Sequence, residues 1–301
     1  MKIRIFAFVM SILFVTLACG LSNTISLDQN SVATVVAATL QSMANEVNAV
    51  VTEPSIFPPA ATDAPAIETN GIAFSFQNVS IVIPPGLANA ASGEMLPEMN
   101  ETNSGPWDIA PEHILITLTG YPLVREGYGP LIHIYPADQY FLVNQGGENS
   151  LTRLRAVLAS PAVPLNNDIL PTVPFYNAAQ LYAAQAGLLK FQNGEGVRMI
   201  SESAQYPAPI IRDLSYYHFE GLTYDGKFYI VALFPVIVPL EATEDNPSAD
   251  GIPYPVDRED ESAFTNYYQA ITDRLNTGSP ESFQPSLTDL DTLIQSIQIM
   301  P

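Results

Sequence analysis

The sequence is short of cysteine, of basic residues and of long apolar runs, and each shortage excludes something. Its single cysteine, Cys19, rules out an intrachain disulfide, so the fold rests on its core alone. Only 11 Lys and Arg stand against 31 Asp and Glu among 301 residues. That leaves no basic footprint for a phosphate backbone or for an anionic lipid surface, and no nucleic acid is expected as a partner. Charged residues of either sign make up 14% of the chain, so acidity serves first to keep a sparsely charged protein soluble. Selective binding of cations or basic partners is the alternative. Walker A, H-E-x-x-H, C-x-x-C and G-x-S-x-G patterns are absent. No residue is therefore assigned a catalytic role, and neither cofactor nor metal is expected. What is plentiful is apolar: 47% hydrophobic and 10% aromatic residues, enough for one sizeable core.

The amino terminus carries an address. Lys2 and Arg4 precede an apolar run, Ile5 to Leu17, that is too short for a comfortable membrane span. It closes in Thr16-Leu17-Ala18-Cys19-Gly20, which resembles the lipobox of bacterial lipoproteins, with Thr16 in place of the preferred leucine. The resemblance implies removal of residues 1–18 as a signal peptide and lipidation of the Cys19 thiol. It thereby implies an extracytoplasmic protein held to the membrane of the cell envelope. An ordinary secretory signal with a chance cysteine is the other reading. Removing Lys2 and Arg4 leaves nine basic residues against 31 acidic ones.

Residues 19–70 read as a lipid-anchored helix and linker. Val32, Val35, Val36, Leu40, Met43 and Val47 have helical spacing, although Val and Thr weaken such a helix. Glu53-Pro54, Pro58-Pro59-Ala60-Ala61 and Ala64-Pro65-Ala66 predict an extended, flexible stalk.

A single α+β domain is expected over 71–301, with a largely antiparallel sheet of about six to seven strands, helices packed on it, and a C-terminal helix pair. Its centre is Leu188 to Phe234. Leu188–Gln192 and Val197–Ile200 flank a turn at Asn193-Gly194-Glu195-Gly196; Leu214–Phe219 and Phe228–Phe234 flank Thr223-Tyr224-Asp225-Gly226. Asn-Gly and Asp-Gly between β-rich runs signal hairpins. Further strands are expected at 72–76, 79–83, 113–118 and 131–135, with 86–111 as loop. Asn149 or Ser150 is the expected cap of a short helix bearing Leu151, Leu154, Val157 and Leu158, and Asn177-Ala178-Ala179-Gln180 the expected single helical turn. Phe264, Tyr268, Ile271 and Leu275 mark one closing helix. Ser286-Leu287-Thr288-Asp289 has the form of a capping box and opens the other, 287–298.

Phe175-Tyr176-Asn177-Ala178-Ala179-Gln180, Phe191-Gln192-Asn193-Gly194-Glu195-Gly196-Val197-Arg198 and Phe219-Glu220-Gly221-Leu222-Thr223-Tyr224-Asp225-Gly226-Lys227-Phe228-Tyr229 resemble a family of bacterial lipoproteins of unknown function. The likeness covers roughly 70–301; the family brings no activity and no site residues. More loosely, late hairpins before a C-terminal helix resemble the α/β/α sandwich of PsbP-like proteins, which licenses no function.

Chemistry is sparse. His113, His133 and His218 fall on expected strands and would have to converge to bind a metal. Glu241, Glu244, Asp245, Asp250, Asp257, Glu259, Asp260 and Glu261 lack calcium-loop spacing and read as a solvated stretch or a weak cation site. Arg198 and Glu220 are a conceivable cross-strand pair, and Tyr216, Tyr217, Tyr224 and Tyr229 a conceivable aromatic groove. The leading reading is a non-enzymatic binding or interaction module whose partner is a protein or small ligand. The alternatives are a hydrolase using carboxylates such as Glu220 and Asp225, or a weak divalent-cation binder. The domain boundary is open to test: limited proteolysis should leave a resistant fragment starting near residue 70, and equal protection of 20–70 would overturn it.

Overall fold

The computed structural model describes residues 70–100, 105, 107–123, 125, 129–161, 165, 167–248 and 250–300. All of them belong to one compact unit, Ile56–Pro301. The signal peptide, Cys19 and the expected stalk lie outside the described residues.

The centre of the molecule is a pair of strands buried along nearly their whole length, β8 (Tyr216–Thr223) and β9 (Phe228–Pro235). Such strands read as near-continuous apolar runs because both sheet faces are covered. They sit inside a seven-stranded antiparallel sheet of order β3-β4-β5-β9-β8-β7-β6. The other members are β3 (Ala90–Leu96), β4 (His113–Thr119), β5 (Leu131–Pro136), β6 (Ala179–Phe191) and β7 (Gly194–Ala204). A second sheet, β1-β2-β10, joins the hairpin of β1 (Ile72–Phe76) and β2 (Val79–Ile83) to β10 (Gln298–Ile299). The fold is α+β.

One face of the large sheet presents Ile116, Ile132, Ile230, Phe219 and Phe234. Onto it pack α3 (Glu261–Asn276) through Tyr267, Ile271 and Leu275, α4 (Leu287–Gln295) through Leu290, Leu293 and Ile294, and β2. Both closing helices thus cover a core face, as their aliphatic stripes predict. The Ser286 hydroxyl accepts from the Asp289 amide at 3.1 Å and donates to its carboxylate at 2.7 Å, so Ser286 caps α4 as expected. Asp260 caps α3 by accepting from the Ala263 amide at 3.0 Å. The opposite face carries Val197, Met199, Leu222 and Val231, and is covered by α1 (Ala137–Val143), α2 (Gln145–Ala159) and the segment around Leu170 and Val173.

Several expectations need correcting. The first central hairpin pairs Phe191 with Gly194, so the turn is Gln192-Asn193, and Gly194 and Gly196 are strand residues. Gly194 is there for space: a Cβ would sit 2.0 Å from the Phe191 ring and 2.4 Å from the Leu222 carbonyl. Ala179 and Gln180 begin β6 and form no helical turn. Within the expected loop 86–111, Ala90–Leu96 is a strand with no β-branched residue, held at the sheet edge by its pairing with β4. The helix expected to start at Asn149 or Ser150 starts at Gln145. Asn144 caps it by accepting from the Gly147 amide at 2.9 Å, and Gly147 lets Tyr140 pack where a Cβ would lie 2.6 Å away. The closing helix stops at Gln295, because Gln298 and Ile299 pair with Ser80 and Val79.

The second hairpin turns where expected. The Gly226 amide donates to the Thr223 carbonyl at 2.8 Å, and Gly226 takes φ +73°. A Cβ there meets nothing within 4 Å, so a substitution tests backbone strain alone. Gly226→Val should cost about 1 kcal/mol or more and lower the melting midpoint by about 2–4 °C. An unchanged midpoint would contradict the left-handed turn.

Candidate functional site

Alternation along β8 sends Tyr217 and Phe219 to the α3/α4 face and His218, Glu220 and Leu222 to the α2 face. Glu220 has no solvent exposure. A bare carboxylate in such a place costs several kcal/mol, so its survival requires donors. It has them: the Ser150 and Tyr229 hydroxyls donate to Oε2, and the Val173 amide donates to Oε1 at 2.7 Å. His218 Nε2 lies 2.9 Å from Oε1, although neither ring nitrogen has an aligned hydrogen-bond partner. The close approach is electrostatic, off the hydrogen-bonding direction. Burial pushes the Glu220 carboxyl up, but His218, Ser150 and Tyr229 together pull it below the ordinary value. Burial and the Glu220 charge push the Tyr229 phenol far up in turn.

The sequence suggested other pairings, and the register decides them. Val197 is opposite Glu220, whereas Arg198 is opposite Phe219. A one-residue offset moves a side chain to the other face. Arg198 accordingly meets Asp291 at 3.4 Å on the α4 side, where the Tyr217 hydroxyl also donates to Asp291 at 2.7 Å. Asp225 remains in the hairpin turn, accepting from Thr223 at 2.7 Å and from the Lys227 amide at 3.1 Å. Glu220 and Asp225 are not brought together. The four tyrosines form no common groove: Tyr217 packs on Phe234, Tyr229 serves Glu220, and Tyr224 lies in the turn.

His113 and His133 do meet, with Nε2 of the first 3.0 Å from Nδ1 of the second. The Pro111 carbonyl lies 2.7 Å from His113 Nδ1, which makes that nitrogen the proton bearer and Nε2 the acceptor. Burial lowers the His113 pKa against the raising effect of Pro111; burial and the neighbouring His113 lower His133 to about 3. Both rings are neutral at physiological pH. His218 stands apart beside Glu220, and among the described residues no group of three His, Cys, Asp or Glu is placed to hold a metal ion. In the acidic stretch, Asp250 pairs with Arg274 at 3.0 Å and Asp260 serves as a helix cap.

Sequence reasoning missed a second buried acid. Glu202 on β7 is 4% exposed, and its Oε2 has no hydrogen-bond partner. Burial raises its pKa to about 8, against the Arg125 guanidinium and the Ser215 hydroxyl. The only signal was a charged residue inside a run that proves to be a strand, Met199-Ile200-Ser201-Glu202.

A cleft of about 660 Å³ runs along the first half of β6, the outer strand of the large sheet. Thr172, Phe175 and Tyr176 line it from one side, Thr265, Tyr268 and Gln269 of α3 from the other, and Tyr216 and His218 from the sheet. Among the described residues, no helix is long and apolar enough to cross a membrane.

The two buried glutamates give opposite pH signatures. Glu202 has a folded pKa above its unfolded value, so its contribution is fully present below about 4.5 and is lost as pH rises towards 8. Glu220 has a lowered folded pKa, so its contribution is present above the unfolded value and is lost on acidification. Glu202→Gln should therefore raise the melting midpoint more at pH 8 than at pH 5. Glu220→Gln should cost on the order of 3 kcal/mol at pH 7 and less below pH 4. Urea melts across that range check both signs.

Comparison with known protein families, with characterised proteins and with solved structures finds no match for this chain.

Proposed function

We propose that this protein is a lipid-anchored, extracytoplasmic binding module of the bacterial cell envelope, attached through Cys19 and taking a protein or small-ligand partner in the cleft beside β6. The observation that carries the binding half is that cleft, which falls within the 300–1,000 Å³ range of ligand sites and is lined by aromatic, hydroxyl and amide side chains. The anchoring half rests on Lys2, Arg4, the apolar run and the lipobox-like Thr16 to Gly20. Acidity of the chain argues against nucleic acid as the partner.

A non-enzymatic role is supported by the state of the carboxylates. Both oxygens of Glu220 are engaged by donors, and Asp225 is used up in a turn, which leaves neither poised to exchange a proton with a substrate. The hydrolase and weak-cation readings rest on composition alone. Cys19→Ser should release the protein from the membrane fraction and abolish incorporation of labelled palmitate. Retention of the variant on the membrane would overturn the anchoring.

A further inference from the structure

We infer that the cleft beside β6 takes a neutral, hydroxyl-rich ligand of one or two sugar rings, with His218 as the hydrogen-bond acceptor at its inner end. This inference rests on the binding-module reading and names its ligand class.

His218 lines the cleft, is 2% exposed and has no aligned partner on either ring nitrogen. In the neutral ring one nitrogen carries the proton and the other is a lone pair, and neither has an aligned partner. The ring therefore holds a buried acceptor with no donor. A buried acceptor left unpaired is expensive, and a ligand that supplies a donor recovers that cost. The complementary group is therefore an O–H or N–H.

The remaining lining narrows the class. Phe175, Tyr176 and Tyr268 offer flat aromatic faces, which suit the C–H faces of a sugar ring. Thr265 and Gln269 stand at the exposed rim; the Thr265 hydroxyl donates to the Glu261 carbonyl at 3.0 Å and the Gln269 amide to Asp273 at 2.8 Å, which leaves their oxygens as acceptors for ligand hydroxyls. The charged groups are one of each sign, Arg153 and Asp168, so the cleft has no net charge to select an ion. An anion would also face a protein of net charge −20. A purely apolar ligand would leave the His218 ring without a partner.

The test uses the full-length protein in detergent micelles and saturation-transfer NMR, with maltose, cellobiose, trehalose and diacetylchitobiose as probes. Hexanoate and tetra-alanine serve as comparison probes. At least one disaccharide should receive saturation. His218→Gln should weaken it at least tenfold, and Gln269→Trp should abolish it by filling the mouth from an exposed position that leaves the core untouched. Tyr206→Ala, at an exposed site outside the cleft, should change nothing. Disaccharide binding insensitive to both cleft variants overturns the site. Binding of only hexanoate or tetra-alanine, blocked by Gln269→Trp, overturns the saccharide class and leaves the binding module standing. If no probe binds, the saccharide inference falls, while the binding-module reading, whose partner can be a protein, stands.

Discussion

A single ionised carboxylate, sealed from water, holds the layers of this molecule in register. Glu220 collects a hydroxyl from α2, a hydroxyl from β9 and an amide from the 170s segment, and His218 lies against it from its own strand. Apolar packing between α2 and the sheet is non-directional and would tolerate a sliding helix. A carboxylate whose donors come from three separate pieces of chain does not: a shift of any one strands a charge in a dry interior. The long segment between β5 and β6 is thereby fixed at Ser150 and at Val173, and both faces of the large sheet are closed. The cleft lies at one edge of that sheet, along β6.

How much of this the sequence discloses depends on whether local chemistry or tertiary context sets the conformation. Gly226 at positive φ, the Ser286 cap and the stripes of α3 and α4 are decided within a few residues, and all are readable. Ala90–Leu96 is a strand only because β4 lies beside it, and nothing in Ala-Ala-Ser-Gly-Glu-Met-Leu says so. The start of α2 is hidden because Gly146 and Gly147 weaken a helix locally, yet Gly147 is what allows Tyr140 to close on it.

The candidate site was less legible still. Glu220 stood out as a charged residue in a strand, but the expected partner Arg198 is one register position off and belongs to Asp291 on the other face. Ser150 looked like a helix cap because serine commonly is one; it sits a full turn inside α2 and reaches Glu220 from there. The cleft joins residues from 153 to 272, a separation over which composition and periodicity carry no information.

The small sheet has a temporal consequence. β2 pairs with β1 from its own hairpin and with Gln298–Ile299 on its other side, while Asn78 exchanges bonds with Met300 at 2.8 Å in each direction. Asn193 clasps Ile299 from the central hairpin as well. The first-made hairpin of the domain is therefore completed by residues made more than two hundred positions later. During synthesis it can hold only a provisional partner, and its hydrophobic face waits uncovered for α4. Such sequence-distant closure slows folding and lengthens the interval in which the chain stays loose.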